Sequence, residues 1–351
     1  MSYEQYVRRV VPYTPGEQPK NKNIIKLNTN ENPYPPAPGV ENALKNLNTD
    51  HLRLYPDPLA ADLVEEIAKY HDVDKNQIFV GVGSDDVLAM AFLTFFNSDK
   101  PILFPDITYS FYDVWADLFR IPYKTCPLNA DFEILAEDYN VENGGIIFPN
   151  PNAPTGVLQP VSMVEEVLKN NPDVVVMVDE AYIDFGGETC LPLLEKYENL
   201  LVIRTFSKSR SLAGLRIGYA VGSANMIKYL NDVKFSYNSY TMNYPTICLG
   251  VESVRDDAYF VEMRDKLVAT RERSKKELSA LGFRFPDSMT NFIFATHERM
   301  KADVIFEELK KRGIYVRYFR KPRIDNYLRI SIGTDEEMDA LFNALREIIK
   351  G

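Results

Sequence analysis

Short apolar runs alternate with segments of helical periodicity over much of this chain. The apolar runs have the length of single strands and lie at residues 77–82, 101–104, 122–127, 146–149, 174–178, 200–203 and 218–221. Helical patterns lie between them, at 85–96, 110–119, 163–170 and 224–232. The alternation predicts an α/β fold with a mostly parallel, seven-stranded sheet covered by helices. The run at 174–178 is continuously apolar, as expected of a strand buried on both faces.

The pattern changes on either side of this region. A charged helical segment at 244–281, which can contain breaks, follows the sheet region. After it comes an α+β pattern, with strands predicted at 292–295, 314–318 and 327–332 and helices at 301–312 and 335–350. The first 40 residues are rich in proline, which predicts an extended arm. We therefore predict an N-terminal arm (1–40), a large domain (41–245) and a smaller C-terminal domain (246–351), against which residues of the arm can pack.

Composition narrows the possible functions. The 351 residues are 45% hydrophobic and 26% charged, as in ordinary globular proteins, and the net charge of −10 argues against binding to nucleic acid. No apolar run reaches the roughly 18 residues of a membrane helix, and the N-terminus lacks a signal-peptide pattern. The three cysteines and three histidines are scattered, which predicts no metal site, no Ser-His-Asp triad and a reducing, cytoplasmic compartment.

One motif, RTFSKSRSLAGLR at 204–216, suggests covalent chemistry. Lys208 follows an apolar strand pattern, Ser207 precedes it, and Arg216 lies eight residues further on. A lysine at the end of a buried strand is poorly solvated, which favours the nucleophilic amine that a Schiff base needs. Ser207 and Arg216 can bind an anion beside it. A lysine after a strand is more commonly a solvated loop residue, so the interpretation depends on the rest of the site.

Three other motifs follow predicted strands, where open α/β sheets bind ligands. GVGSDDVL (81–88) predicts a helix start at Ser84 and Asp85 that can bind phosphate. VVVMVDEAY (174–182) places Asp179 at a buried strand end, where a carboxylate needs a cationic partner, with Tyr182 three residues later. PNPNAPTG (149–156) predicts a rigid loop with amide donors. Each motif alone also fits an ordinary turn or cap, but together they predict a site for pyridoxal 5′-phosphate (PLP).

The chain also resembles aminotransferases of PLP fold type I, and more closely their histidinol-phosphate branch. The similarity runs nearly end to end, through PYTPG (12–16), NTNENP (28–33), LRLYPD (52–57), GSDD (83–86), DITYSFY (106–112), NAPTG (152–156), DEAYIDF (179–185), RTFSKSRSLAGLR (204–216), TNFI (290–293) and LRISIG (328–333). The DEAY and SK…LAGLR elements are highly specific for the superfamily.

The resemblance implies a role for each of several residues. Lys208 would bind PLP covalently and move a proton, Asp179 would keep the ring nitrogen protonated, and Tyr182 would contact the 3′ oxygen of the ring. The resemblance also implies further cofactor contacts from Ser84, Asp85, Tyr109, Ser207 and Arg216, and from Tyr55 of a second subunit in a homodimer. Substrate contacts are implied for Tyr13, Glu31, Asn32, Arg317 and Arg329.

The chain departs from the family pattern just before Pro-Thr-Gly. Relatives usually have an asparagine there that contacts the 3′ oxygen, whereas this chain has Ala153. Asn152, one residue earlier, is a candidate to replace that contact, and Tyr182 acting alone is the alternative.

The resemblance implies transfer of an amino group between glutamate and histidinol phosphate. Both substrates are anionic, and arginine suits carboxylate and phosphate alike. Two alternatives stay open, an aromatic amino-acid aminotransferase and a decarboxylase of a phosphorylated amino acid. A PLP-binding regulator is disfavoured, because the sequence leaves no room for a DNA-binding module and has no basic patch.

Overall fold

The computed structural model describes residues 2–19 and 24–350, which form two β-sheets. Their strands are β1 (Ile25–Leu27), β2 (Ile78–Gly81), β3 (Ile102–Pro105), β4 (Tyr123–Cys126), β5 (Ile146–Pro149), β6 (Val176–Asp179), β7 (Leu200–Thr205), β8 (Gly218–Gly222), β9 (Phe283–Arg284), β10 (Phe292–His297), β11 (Ile314–Tyr318) and β12 (Leu328–Ser331). The larger sheet has the order β2-β8-β7-β6-β5-β3-β4, in which only β8 is antiparallel to its neighbours. The predicted mostly parallel, seven-stranded sheet is confirmed.

Helices cover both sheets. They are α1 (Pro38–Lys45), α2 (Ala61–His71), α3 (Ser84–Phe95), α4 (Tyr112–Phe119), α5 (Val161–Asn170), α6 (Ala224–Tyr237), α7 (Tyr244–Arg255), α8 (Asp257–Ala280), α9 (Ala302–Lys311) and α10 (Asp335–Lys350). The predicted helical segment at 244–281 divides at Asp256, whose side chain accepts a hydrogen bond from the N–H of Tyr259 and caps α8. Across the described ranges, no helix combines the length and the apolar character of a membrane span.

The central strands of the larger sheet are buried on both faces. Val178 and Val202 pack into one apolar cluster, whereas Met177 and Ile203 pack into another on the opposite face. Successive side chains of a strand point to opposite faces, so each strand contributes to both clusters. Burial of a large apolar side chain contributes about 1.5–3 kcal/mol. This packing fixes the carboxyl ends of β5, β6 and β7, where the functional motifs follow.

Part of the N-terminal segment is extended and pairs with the smaller sheet. Residues Ile25–Leu27 form β1, which pairs in parallel with β11 and gives the smaller sheet the order β1-β11-β12-β10-β9. The domain boundaries at 40 and 245 stay predictions. Helix α1 extends across the first of them, and α7 packs against α1 and α2 beside the larger sheet.

Candidate active site

Two adjoining cavities lie at the carboxyl ends of the central strands. The inner cavity, of about 170 Å³, contains the predicted cofactor residues, and the outer cavity, of about 160 Å³, opens toward the N-terminal segment. Both are lined by Thr29, Tyr109, Ala153, Tyr182 and Lys208. A larger cleft of about 1170 Å³ lies elsewhere, beside His71 and Arg204, and none of the predicted site residues lines it. Chemistry rather than size therefore identifies the two smaller cavities as the candidate site.

One end of the inner cavity is suited to an anion. Helix α3 begins there, and N–H groups in a first helical turn have no partner within the helix. Arg216 pairs through Nη2 with Asp85 Oδ2 at 3.1 Å and approaches Ser207 Oγ through Nη1 at 3.4 Å. Gly83 has a φ of +84°, and a Cβ there would lie 2.5 Å from Arg216 Nη2, so glycine is required. This end is suited to a phosphate.

Asp85 takes part through its side chain as well as its backbone. Tyr109 donates its hydroxyl proton to Asp85 Oδ1 at 2.8 Å, while the other carboxylate oxygen pairs with Arg216. The carboxylate therefore holds both the arginine and the aromatic ring of Tyr109 at the cavity wall.

Asp179 provides a negative charge in the inner cavity. It is the last residue of β6 and is buried, and its carboxylate accepts hydrogen bonds from the Tyr112 hydroxyl and the Ala181 N–H, both at 3.1 Å. Burial raises the pKa of Asp179 to about 6, and the two donors offset this only in part. A cationic group beside the carboxylate would lower that pKa. A protonated ring nitrogen is such a group.

Lys208 lies between the two cavities. Its Nζ is 3.4 Å from the carbonyl oxygen of Thr29 and 5.8 Å from the centre of the Tyr182 ring. The Tyr182 hydroxyl accepts a hydrogen bond of 2.9 Å from Asn30 Nδ2. The amine of Lys208 can therefore reach a group bound in either cavity.

The outer cavity presents arginine side chains. Arg329 donates through Nη2 to the carbonyl oxygen of Asn28 at 3.0 Å, but its buried Nε has no hydrogen-bond partner among the described residues. Burial lowers the pKa of the Arg329 guanidinium, an effect that a bound anion would oppose. Arg317 donates to the carbonyl oxygens of Thr14 and Pro15, at 3.3 and 3.5 Å. Planar, forked donors of this kind suit carboxylate or phosphate.

The N-terminal segment forms the remaining wall of the two cavities. Tyr13 stacks on Phe111 with ring centres 4.1 Å apart and lines the outer cavity. Glu31 lines the inner cavity and pairs with Lys26 at 2.6 Å. Tyr13 therefore lies at the outer cavity and Glu31 at the inner cavity, and substrate contacts from these two residues stay predictions.

Three predicted residues line neither cavity. Asn152 donates its amide to Ile107 O at 2.9 Å and to Thr155 Oγ1 at 3.1 Å, so both amide protons hold the loop and none faces a ligand. Asn32 donates to the carbonyl oxygens of Lys208 and Ser209, and therefore fixes the lysine loop without lining the mouth. Tyr55 is 83% exposed and packs against Tyr240 on the surface. The amide protons of Asn152 and Asn32 are thus engaged within the protein.

Two residues of the site were missed from the sequence. Asn30 contacts the hydroxyl of Tyr182, and Tyr112 contacts the carboxylate of Asp179. Both lie within motifs that carry the family resemblance, NTNENP and DITYSFY. The place of the two residues within these motifs was the signal available in the sequence. Their contacts gave no signal, because the partners lie far away along the chain.

Comparison with known proteins agrees with this geometry. The family described as aminotransferase class I and II matches residues 22–345. The chain belongs to this family. Histidinol-phosphate aminotransferase 1 of Hydrogenovibrio crunogenus is 52% identical over 99% of this chain and 98% of its own length. Histidinol-phosphate aminotransferase of Marinomonas sp. is 53% identical over 96% of each chain.

Solved structures of this aminotransferase family share the fold. The histidinol-phosphate aminotransferase of Sinorhizobium meliloti, in complex with PLP, has a TM-score of 0.84 at 24% identity and covers 93% of this chain and 91% of its own. The enzyme from Clostridium acetobutylicum has a TM-score of 0.85 at 22% identity, with coverage of 93% and 99%. Family membership confirms the predicted aminotransferase activity and the predicted cofactor, PLP. The cavity fits that cofactor, because both an anion site and a buried carboxylate line it.

Proposed function

We propose that this aminotransferase exchanges an amino group between glutamate and histidinol phosphate, with 2-oxoglutarate and imidazole-acetol phosphate as the keto partners, in histidine biosynthesis. The near full-length identity of about one half to relatives that carry this name supports the substrate. The observation that carries the proposal in the structure is the buried Nε of Arg329, an unpartnered donor at the wall of the outer cavity next to Lys208. An anionic substrate would supply its missing acceptor.

Each site residue has a separate role in the proposed reaction. When bound, PLP supplies an electron sink for the charge that develops on the reacting carbon of the substrate. Lys208 holds the cofactor and moves a proton at that carbon, because its Nζ lies between the two cavities. Asp179 keeps the ring nitrogen protonated, and Tyr182 donates its hydroxyl proton to the 3′ oxygen of the ring. Phosphate contacts come from the backbone N–H groups of Ser84 and Asp85 and from the side chains of Ser207 and Arg216.

The outer cavity would hold the anionic part of either substrate. Arg329 is braced by the carbonyl oxygen of Asn28 and lies 5.3 Å from the ring centre of Phe292, which restricts its side chain. Arg317 can contribute a second charge, since its guanidinium donates to backbone oxygens and lies 5.6 Å from the ring centre of Phe319. Tyr13 completes the wall of this cavity, and Glu31 lines the inner one. An arginine clamp of this kind accepts phosphate and carboxylate in turn, as a reaction with two successive substrates requires.

The substrate is tested by following the visible absorbance of the PLP-loaded protein during titration with histidinol phosphate in the absence of any oxo acid. We expect complete conversion to the pyridoxamine form of the cofactor, because an aminotransferase stops after the first half-reaction when no acceptor is present. Conversion by glutamate but not by histidinol phosphate would refute the substrate and leave the reaction class intact. Turnover of a phosphorylated amino acid without an oxo acid would instead indicate a decarboxylase, and preferential conversion by tyrosine would indicate an aromatic aminotransferase.

We also propose a homodimer in which Tyr55 reaches the cofactor phosphate of the partner subunit. Tyr55 is highly exposed, and Leu52, Leu54 and Tyr240 around it are also exposed. Exposed apolar side chains in one region mark interaction surfaces. Within one chain Tyr55 lines neither cavity, so a contact with PLP would have to come from a second copy.

Mixing two variants tests the contribution of Tyr55 to a partner's site. Tyr55→Phe is expected to weaken PLP binding about tenfold, because a hydrogen bond to a charged group contributes about 1.5–3 kcal/mol. A hybrid dimer pairs one Tyr55→Phe subunit with one Lys208→Ala subunit. The site that keeps Lys208 then receives an intact Tyr55 from the partner and should bind PLP tightly again, as measured by the visible band at limiting PLP. If the hybrid dimer bound PLP as weakly as the Tyr55→Phe dimer does, a contribution of Tyr55 across the interface would be refuted. Tyr237→Phe, also on the exposed surface, is the matched control.

A cytoplasmic location belongs to the same proposal. The cysteines Cys126, Cys190 and Cys248 are all free, which supports a reducing compartment.

A further inference from the structure

We propose that Asn30 is a positioning residue that directs the hydroxyl proton of Tyr182 toward the bound cofactor. This inference rests on the proposed PLP site and adds a residue from the N-terminal segment to it. Asn30 and Tyr182 are both buried, with 1% and 8% of their surfaces exposed. Their contact joins residues 152 positions apart, between the segment that follows β1 and the segment that follows β6.

The orientation of the Asn30 amide follows from its partners. The backbone N–H of Asn30 can only donate, and it donates to Ser331 Oγ at 2.9 Å. The Ser331 hydroxyl therefore has its own proton free, and it donates that proton to Asn30 Oδ1, also at 2.9 Å. With Oδ1 committed to Ser331, the amide nitrogen is the atom that faces Tyr182. If the two atoms of the amide were exchanged, Oδ1 would take the Tyr182 proton and the Ser331 proton would lose its acceptor.

This orientation decides where the proton of Tyr182 points. A phenol has one proton to donate and can also accept. Asn30 Nδ2 donates to the Tyr182 hydroxyl at 2.9 Å, so the oxygen acts as acceptor on that side. Its own proton is left to donate elsewhere, and Tyr182 lines both cavities. The ring oxygen of a bound cofactor is the acceptor that this arrangement fits.

Asn30 is itself rigidly held. Its carbonyl oxygen accepts a hydrogen bond of 2.9 Å from Asn291 Nδ2, and its φ of +55° lies in the left-handed region that asparagine tolerates better than most residues. The two bonds to Ser331 and the bond to Asn291 attach it to the smaller sheet and its preceding loop. A donor fixed in this way holds the Tyr182 hydroxyl in one orientation before any ligand binds.

The arrangement matters because the 149–156 loop offers no amide to the cavity. Ala153 lines the cavity without a polar side chain, and both amide protons of Asn152 are used within the loop. Tyr182 is therefore the principal side-chain donor to the ring oxygen in the proposed site. A donor there stabilises negative charge on that oxygen, and thereby lowers the pKa of the nitrogen that joins Lys208 to PLP.

The test measures the pKa of the visible absorption band of the PLP-loaded protein. Asn30→Gly removes the amide and keeps the left-handed backbone, whereas Asn30→Asp keeps the shape and the acceptor for Ser331 but accepts the Tyr182 proton. Both variants are expected to raise the pKa of the band by about one unit, the size of one hydrogen bond to a charged group. The uncharged replacement, Asn30→Gly, should cause no further shift in a Tyr182→Phe background, because the hydroxyl that Asn30 orients is then absent.

The control separates positioning from stability. Asn291→Ala removes the bond to the Asn30 carbonyl but leaves the amide facing Tyr182, so it should lower the melting temperature of the cofactor-free protein with little change in the pKa of the band. An unchanged pKa in both Asn30 variants, or an equal further shift in the Tyr182→Phe background, would overturn the inference. If the wild-type protein forms no visible band with PLP, the proposed cofactor site fails and the inference fails with it.

Discussion

Replacing Lys208 with alanine is expected to abolish the visible absorption band of the PLP-loaded protein and to lower turnover by at least about 10⁴-fold. The amine of Lys208 is the nucleophile that lies between the two cavities, and no other lysine among the residues that line them can replace it. The side chain is only half-buried, and its single hydrogen bond, to Thr29 O, is long at 3.4 Å. Its loss should therefore leave the fold intact.

Absorbance spectroscopy and steady-state kinetics on the purified variant provide the measurement. Lys228→Ala is the matched control, because Lys228 is exposed, pairs only with Asp232, and lies on α6 away from the site. It should show the wild-type spectrum. A Lys208→Ala protein that kept the visible band would disprove the assignment of the nucleophile. If Lys208→Ala failed to fold, Lys208→Arg would be measured instead. Arginine keeps the positive charge but cannot form the same covalent linkage with PLP.

Replacing Asp179 with asparagine should lower turnover by about 10²- to 10³-fold while PLP remains bound. Loss of one partner of a buried charge pair costs about 2–5 kcal/mol, and each 1.36 kcal/mol is a factor of ten in rate. The phosphate end of the cavity is untouched, so binding should persist. Kinetics together with the visible spectrum test this result. Near-normal turnover would exclude the proposed role of the carboxylate.

The same substitution should have the opposite effect on the stability of the cofactor-free protein. Since burial raises the pKa of Asp179 from 3.8 to about 6, the ionised carboxylate destabilises the folded protein above pH 6, by up to about 3 kcal/mol. This cost fades as the pH falls from about 6 to 4, because the folded form then binds the proton. Asp179→Asn should therefore be more stable than the wild type at pH 7 and no more stable at pH 4. Tyr112→Phe, which keeps the carboxylate and removes one donor, should show no such gain.

Sequence patterns were most informative where structure and function are local. The strands of the larger sheet were predicted within about two residues, and the resulting edge brings Asp179, Lys208 and Arg216 together as expected. Apolar runs identify buried strands, and the motifs directly follow those strands. The position of a side chain at a strand end is thus encoded in a few neighbouring residues.

Features without a local signal were missed. Helices α1 and α2 begin after Ala37 and Ala60, neither of which supplies a side-chain cap, and only α1 has a proline at its first position. Strand β1 has only three residues and forms because β11 offers an edge to pair with. Secondary structure of this kind depends on tertiary contacts.

The hydrogen-bond partners of a polar side chain also could not be predicted from the sequence. Asn152 was assigned to the cofactor from its place in the motif, but Ile107 and Thr155 take its amide protons. Asn30 was missed because its partners, Tyr182 and Ser331, are far away in sequence. An amide in a polar loop has several possible partners, and only the folded backbone selects among them.

The short pairing of β1 with β11 has a consequence for how tightly substrates can bind. It anchors the chain immediately before Asn28, Thr29 and Asn30, so the wall of the site is a very short span between fixed points. The entropy lost in closing a loop grows with its length, and it is small for such a span. A substrate that enters finds this wall already ordered, and little of its binding free energy is consumed in freezing the N-terminal chain.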